Sequence, residues 1–244
     1  MVPVDVIFLD IDGVLLPFGS AKKSSQDEDY KCDDCIFPNS TMHALTILLQ
    51  KVGDISLAMK DKDNKQQTIR GNPVLVLSST WRAQQEFITD ILDSFKGYVA
   101  FVQQNQKQKQ QPEEVQQIWK PHLDAFFDLV DPCYHATRHD EIFSWVRDNE
   151  KGKHRSNNDS NSNKKRKRRT PQELECISTV VEFQVRSWIA LDDEDLVNVE
   201  EDRVEEKAIP HAVKTESSVG LTLQDVDLGV KLLKDQMNAF YQLT

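Results

Sequence analysis

Residues 4–9 are apolar at five of six positions, and the run stops at Asp10-Ile11-Asp12-Gly13. An apolar stretch of this length, without sustained alternation, predicts a strand buried on both faces, as in a parallel sheet covered by helices. The same pattern recurs along the chain. Residues 73–77 (PVLVL) run into Ser78 and Ser79, residues 126–130 (FFDLV) are closed by Asp131-Pro132, and residues 187–191 (SWIAL) deliver Asp192 and Asp193. Residues 208–213 (AIPHAV) make a fifth candidate, and Pro210, which has no amide to donate, predicts an edge position for it.

Between these runs the apolar residues fall at helical spacing. A helix beginning at Asn39 or Ser40 carries Leu45, Leu48 or Leu49 and Val52, with Gly53 placed to stop it. A second carries Ile88, Ile91 or Leu92 and Phe95, with Gly97 as its stop. Arg138 precedes a short helix whose Ile142, Trp145 and Val146 face the core, and Thr170-Pro171 with Glu173 reads as the start of another. A last helix starts at Thr222, with Val226, Val230, Leu233 and Met237 in one stripe. Strands alternating with helices predict an α/β fold, a three-layer Rossmann-like parallel sheet with both faces covered.

A chain of 244 residues fits a single domain over 1–244. Polar stretches at about 19–38, 54–71, 98–118 and 150–169 read as insertions into it; the first looks like a surface loop or flap, and the last reads as disordered. The net charge is −10, unevenly spread. Nine of the 30 basic residues but only one acid, Asp159, fall within 151–169, which leaves 21 bases against 39 acids, −18, elsewhere. An acidic body with one basic segment argues against a nucleic-acid groove along the whole fold. The six basic residues 164–169 (Lys164, Lys165, Arg166, Lys167, Arg168, Arg169) read as a signal for a nuclear import receptor, a phosphate tether or a solvated linker. Expected localisation is therefore nuclear, otherwise cytoplasmic. No apolar run reaches membrane-spanning length and no secretory pattern opens the chain, so no membrane partner is expected. Cys32, Cys35, Cys133 and Cys176 are too few for a disulfide framework, and the lone Cys32/Cys35 pair lacks the second pair that a zinc site needs.

The candidate chemistry sits at the strand ends. Gly13 permits a tight turn after the first strand, which places Asp10 and Asp12 where open α/β sheets hold their ligands. Two carboxylates that close repel unless a positive charge, such as a divalent cation, lies beside them. Ser78/Ser79 and Asp192/Asp193 stand at two further strand ends, and Arg138 precedes a helix. Trp81, Trp145 and Trp188 read as core residues.

The string VIFLDIDGVL resembles the first motif of the haloacid dehalogenase (HAD) superfamily, and the order Asp10/Asp12, Ser78/Ser79, Arg138, Asp192/Asp193 resembles its four motifs. More narrowly, LSSTWR, RHDEIFSW, WIALDD and GLT before a helix look like the HAD domain of Swiss Army Knife RNA-repair proteins. The resemblance implies a Mg²⁺-dependent phosphatase working through an aspartyl-phosphate. Asp10 would be the nucleophile and Asp12 the acid and base. Ser78 or Ser79 and Arg138 would hold the phosphoryl group, and Asp10, Asp12 (through its main-chain carbonyl) and Asp192 or Asp193 would hold the metal. No polar insertion is apolar enough to fold as a substantial cap domain. An uncapped site would admit a bulky substrate such as an RNA or DNA end phosphate. The alternatives are a phosphatase of proteins or small metabolites, and a non-catalytic nuclear binding module that keeps the fold.

Overall fold

The structure is a computed structural model that describes residues 2–18, 32, 34–60, 73–107, 123–124, 138–150, 183–198 and 209–243. Five parallel strands form one sheet in the order β3-β2-β1-β4-β5. They are β1 (Val2–Leu9), β2 (Val74–Leu77), β3 (Leu123–Asp124), β4 (Phe183–Asp192) and β5 (Ala212–Lys214). The helices are α1 (Asn39–Lys60), α2 (Gln85–Lys107), α3 (Arg138–Glu150) and α4 (Leu223–Leu243), with a short 3-10 helix at Thr80–Ala83. The expected three-layer α/β architecture is the one observed.

Alternation along β1 divides the core. Ile7 and Leu9 point with Leu75, Leu77, Ile189 and Leu191 into a cluster completed by α1, α2 and α4. Val6 and Phe8 point the other way, onto Ile142 and Val146 of α3. Phe8 meets Trp145 and Trp188 edge-on at 5.4 and 5.7 Å, so both tryptophans belong to this second core as expected. Register does the rest. Leu9 pairs with Leu77 on one side and Leu191 on the other. The residues that follow, Asp10, Ser78 and Asp192, therefore emerge level with one another at one end of the sheet.

The opposite end is closed by charge. Asp5 and Arg186 are both buried, and the Asp5 carboxylate accepts from Arg186 Nε at 2.9 Å, from Arg186 Nη2 at 2.5 Å and from Ser187 Oγ at 2.7 Å. Arg186 Nη1 also donates to the Tyr241 hydroxyl of α4 at 2.8 Å. A register shift between Val4 and Asp5 opposes Val4 to Val185 but Asp5 to Ser187. That irregularity lets two consecutive β4 residues serve one aspartate.

Several expected boundaries are corrected. Gly53 does not stop α1, which continues to Lys60 with open space where a Cβ would stand. Gly97 does not stop α2 either: a Cβ there would lie 2.5 Å from the Asp34 carbonyl oxygen, so the glycine serves close approach of the chain ahead of α1. The end of the expected surface flap at 19–38 is core, with Cys32, Cys35 and Phe37 buried beneath α1 and α2. Phe37 packs on Phe95 at 6.1 Å, the Ile36 amide donates to Ser94 Oγ at 3.2 Å, and burial pushes the Cys35 thiol up to about 11. The expected insertions at 54–71 and 98–118 begin as helix, through Lys60 and Lys107 respectively. Buried Tyr98, with Phe101 and Val102 packed on the core, shows why α2 extends.

β3 lies at Leu123–Asp124, ahead of the expected strand at 126–130, which falls outside the described residues. β5 holds the edge as expected but starts at Ala212, with Pro210 in the preceding turn, so the proline is not the reason for that position. Arg138 is the first residue of α3 rather than a residue before it. α4 begins as predicted, with Thr222 Oγ1 accepting from the Asp225 amide at 3.3 Å and the Asp225 carboxylate accepting from the Thr222 amide at 2.9 Å. The basic residues 164–169, the helix start at Thr170, Cys133 and Cys176 lie outside the described residues. Among the described residues no helix is long and apolar enough to cross a membrane.

Candidate active site

The level strand tips converge. One carboxylate oxygen each from Asp10, Asp192 and Asp193 lie within 4.8 Å of one another, with Asp10 and Asp192 buried and Asp193 partly so. Arg138 reaches between them, with Nη1 at 2.6 Å from Asp192 Oδ2 and 3.4 Å from Asp10 Oδ1. A cation in the first turn of a helix runs against the helix dipole. Here Asp10 and Asp192 offset that cost, and Asp140 and Glu141 occupy the same turn.

Backbone contacts hold the acids in place. The Asp10 amide donates to the Leu191 carbonyl at 3.0 Å, which carries the β1–β4 ladder one residue into the site. Asp192 Oδ1 accepts the Glu194 amide at 3.0 Å, and the Asp192 carbonyl accepts the Thr215 amide at 2.8 Å. Buried Thr215 then donates its hydroxyl to the Gly13 carbonyl at 3.0 Å, which ties the turn after β1 to the end of β5. The GLT segment supports the same turn, because the Leu221 amide donates to the Val14 carbonyl at 2.8 Å. Gly220, at φ +78°, has no Cβ where one would stand 2.7 Å from that carbonyl oxygen.

Gly13 is as constrained, at φ +69°, and a Cβ there would lie 2.4 Å from the Asp193 carboxyl carbon. Gly13→Ala is expected to cost more than about 1 kcal/mol through the left-handed backbone alone and to push Asp193 out of the cluster. Urea unfolding checks the first effect. Divalent-ion affinity, read by calorimetry, checks the second, and unchanged affinity would show that Asp193 does not need this close approach.

Among the described residues the cluster is short of positive charge. Burial pushes the Asp192 carboxyl up to about 7; Arg138 pulls it down and Asp10 pushes it further up. Burial and then Asp10 also raise Asp193. For Arg138, burial disfavours the charged form, but Asp192 and Asp10 outweigh it and the guanidinium sits above its ordinary value. Among the described residues, three carboxylates around one guanidinium leave an excess of negative charge, which a cation relieves. Carboxylate oxygens are the donors that hard divalent ions such as Mg²⁺ take, so the residues present fit that ion.

Of the residues expected from sequence, the structure brings together Asp10, Asp192, Asp193 and Arg138. Ser78 follows β2 directly and its amide donates to the Leu9 carbonyl at 2.9 Å, beside Asp10. Ser79 caps the 3-10 helix, its hydroxyl oxygen accepting the Trp81 amide at 3.4 Å. The Asp12 carboxylate stands apart from the three clustered acids, and its Oδ2 accepts the Trp81 indole N–H at 3.0 Å. Trp81, assigned from sequence to the core, is half-buried against it and reaches the site as well. Its place three residues after Ser78 was the available signal. Thr215 and the restraint on Gly13 carry no comparable signal, because both depend on contacts with distant segments.

A family model described as the HAD domain in Swiss Army Knife RNA repair proteins matches residues 6–157, more than half of the chain. The matched stretch contains Asp10, Asp12, Ser78, Ser79 and Arg138; Asp192 and Asp193 lie beyond it and join them through β4. No curated protein and no solved structure matches.

Proposed function

Because this chain belongs to the family of HAD domains found in Swiss Army Knife RNA repair proteins, we propose that it hydrolyses phosphate monoesters through an aspartyl-phosphate on Asp10. One observation carries the reading: carboxylates from two separate strand ends gather within 4.8 Å at the tips of a parallel sheet, with the Arg138 guanidinium between them. Among the described residues three acids face one base, more than a structural ion pair needs.

In the first step the Asp10 carboxylate attacks phosphorus, a new O–P bond forms, and the bond to the leaving oxygen breaks. Asp12, entering as the acid, gives its proton to that oxygen. In the second step Asp12, now a carboxylate, takes a proton from water as the water attacks phosphorus; the O–P bond to Asp10 breaks and inorganic phosphate leaves. Arg138 and Ser78 hold the phosphoryl oxygens. A guanidinium stays charged and grips two oxygens at once, and each such preorganised donor is worth about 3 kcal/mol in the barrier. Ser78 is the better placed serine, since the Ser79 hydroxyl caps a helix. Asp10, Asp192, Asp193 and the Asp12 main-chain carbonyl are the groups that would hold Mg²⁺, which when bound draws charge from the phosphoryl oxygens.

The substrate proposed is a phosphorylated RNA or DNA end, in keeping with the RNA repair proteins that carry this domain. Hydrolysis of an aryl phosphate is expected with Mg²⁺ and not with EDTA, and phosphorylated oligonucleotides are expected to outcompete phosphopeptides and sugar phosphates. Faster turnover of the small esters or peptides would move the substrate assignment to them. No turnover of any ester would leave the non-catalytic binding module.

Proton and metal should compete. Asp192 titrates near 7 in the folded chain, above the ordinary carboxylate range of an unfolded one. Its contribution to stability is thus fully present below about pH 4 and is lost as pH rises through 7. Mg²⁺ binds the ionised carboxylate, so it should raise the unfolding temperature more at pH 8 than at pH 6. Equal shifts at both pH values would remove Asp192 from the metal's ligands.

A further inference from the structure

We propose that Trp81 is a positioning residue that fixes which oxygen of Asp12 carries the proton given to the leaving group. The inference rests on the phosphatase reading above and deepens it. An indole N–H can donate but never accept. Asp12 Oδ2, 3.0 Å from Trp81 Nε1, must therefore accept whether Asp12 is protonated or ionised. A carbonyl oxygen accepts more strongly than an acid's hydroxyl oxygen, so this bond favours the proton on Oδ1 and pins the carboxyl plane about the bond to Oδ2.

Trp81 is itself immobilised. It lies in the 3-10 helix at Thr80–Ala83, which starts directly after the β2 tip and is capped by Ser79. Its ring packs on Phe87 of α2 with centroids 5.0 Å apart and leans on the main core. Its amide donates to Ser79 Oγ and its carbonyl accepts the Gln84 amide at 3.3 Å. The indole is thus a rigid arm carrying the geometry of the β2 tip across to the acid that follows the β1 tip. Asp12 has freedom to lose, since its side chain is only partly buried and lies outside the cluster held by Arg138.

The test separates protonation of the leaving group from every other step. Under kcat/KM conditions only the transfer to Asp10 is read, and protonation matters for a poor leaving group far more than for a good one. The probes are 2-glycerol phosphate and a 3′-phosphorylated oligonucleotide as alkyl esters, and 4-nitrophenyl phosphate as the aryl ester. Trp81→Phe is expected to lower kcat/KM for the alkyl esters by about 30- to 100-fold and for the aryl ester by less than about fivefold. In an Asp12→Asn background the same change should cost no more than about twofold further, because the two residues act as a unit.

Replacing Trp81 with its benzothiophene isostere removes the N–H and keeps the ring, and should give the same pattern even if Phe unfolds the chain. A wild type that turns over an alkyl ester while Trp81→Phe loses equally on both ester classes, or on neither, overturns the assignment alone. So does a wild type confined to the aryl ester, which has no acid at the leaving oxygen. A wild type inactive on all three probes overturns the phosphatase reading and this assignment with it.

Discussion

Asp10→Asn is expected to lower turnover of any phosphate monoester by at least about 10⁴-fold, because an amide nitrogen or oxygen cannot form the acyl-phosphate that a carboxylate forms. The change keeps side-chain volume, so the fold should survive it. Stability supplies an independent readout. Asp10 stands among like charges, with Asp192 and Asp193 oxygens within 4.8 Å, and among the described residues Arg138 opposes them. At an effective dielectric of about 20, one such like-charge contact is worth roughly 3 kcal/mol, comparable with the attraction lost to Arg138. Metal-free Asp10→Asn should therefore melt close to wild type, while the extra stability given by Mg²⁺ largely disappears. An Asp10→Asn protein that keeps a tenth or more of wild-type turnover would exclude Asp10 as nucleophile.

The largest effect on folding is expected at the other end of the same strand. Asp5→Ala leaves the buried Arg186 guanidinium with the Tyr241 hydroxyl in place of a two-pronged carboxylate, and Ser187 loses its acceptor too. Breaking a buried pair by removing one partner costs about 3–5 kcal/mol, which for a chain of this size lowers the melting temperature by on the order of 10 °C. Asp5 and Asp10 are five residues apart on an extended strand, about 16 Å. Below the melting transition, kcat should accordingly match wild type. Replacing both partners, Asp5→Ala with Arg186→Met, should recover part of the loss. A melting temperature within about 2 °C of wild type for Asp5→Ala would mean that the pair contributes little to the fold.

These two aspartates show how far reading along the chain can go. Asp10 announces itself by interrupting the end of an apolar run, and the polar ends of the runs at 73–77 and 187–191 do the same. Asp5 gives no such signal: it is a single acid inside a run that is otherwise apolar, and its partner is 181 residues away. Gly53 and Gly97 mislead for a related reason. A glycine after a helical stripe is a sound stop signal, but helix length is settled by what the helix packs against, and both α1 and α2 have core to cover beyond it. The cysteines show the same limit. Cys32 and Cys35 sit in polar sequence and yet are buried, since burial depends on the neighbours that Phe37, Phe95 and Gly97 provide.

By itself the chain determined the class of fold, the sheet-tip position of the acids, the start of α4 and the order of four motif-like groups. These are properties of short windows, where hydrophobic period and turn chemistry act over a few residues. Only the tertiary structure decided that Leu9, Leu77 and Leu191 end level, so that Asp10, Ser78 and Asp192 meet. It also decided that Arg138 stands between two carboxylates, that Thr215 fastens the turn at Gly13, and that Trp81 grips Asp12. Each of those contacts joins residues at least 54 positions apart. Distances across such gaps are set by strand register and helix packing, which no local pattern encodes.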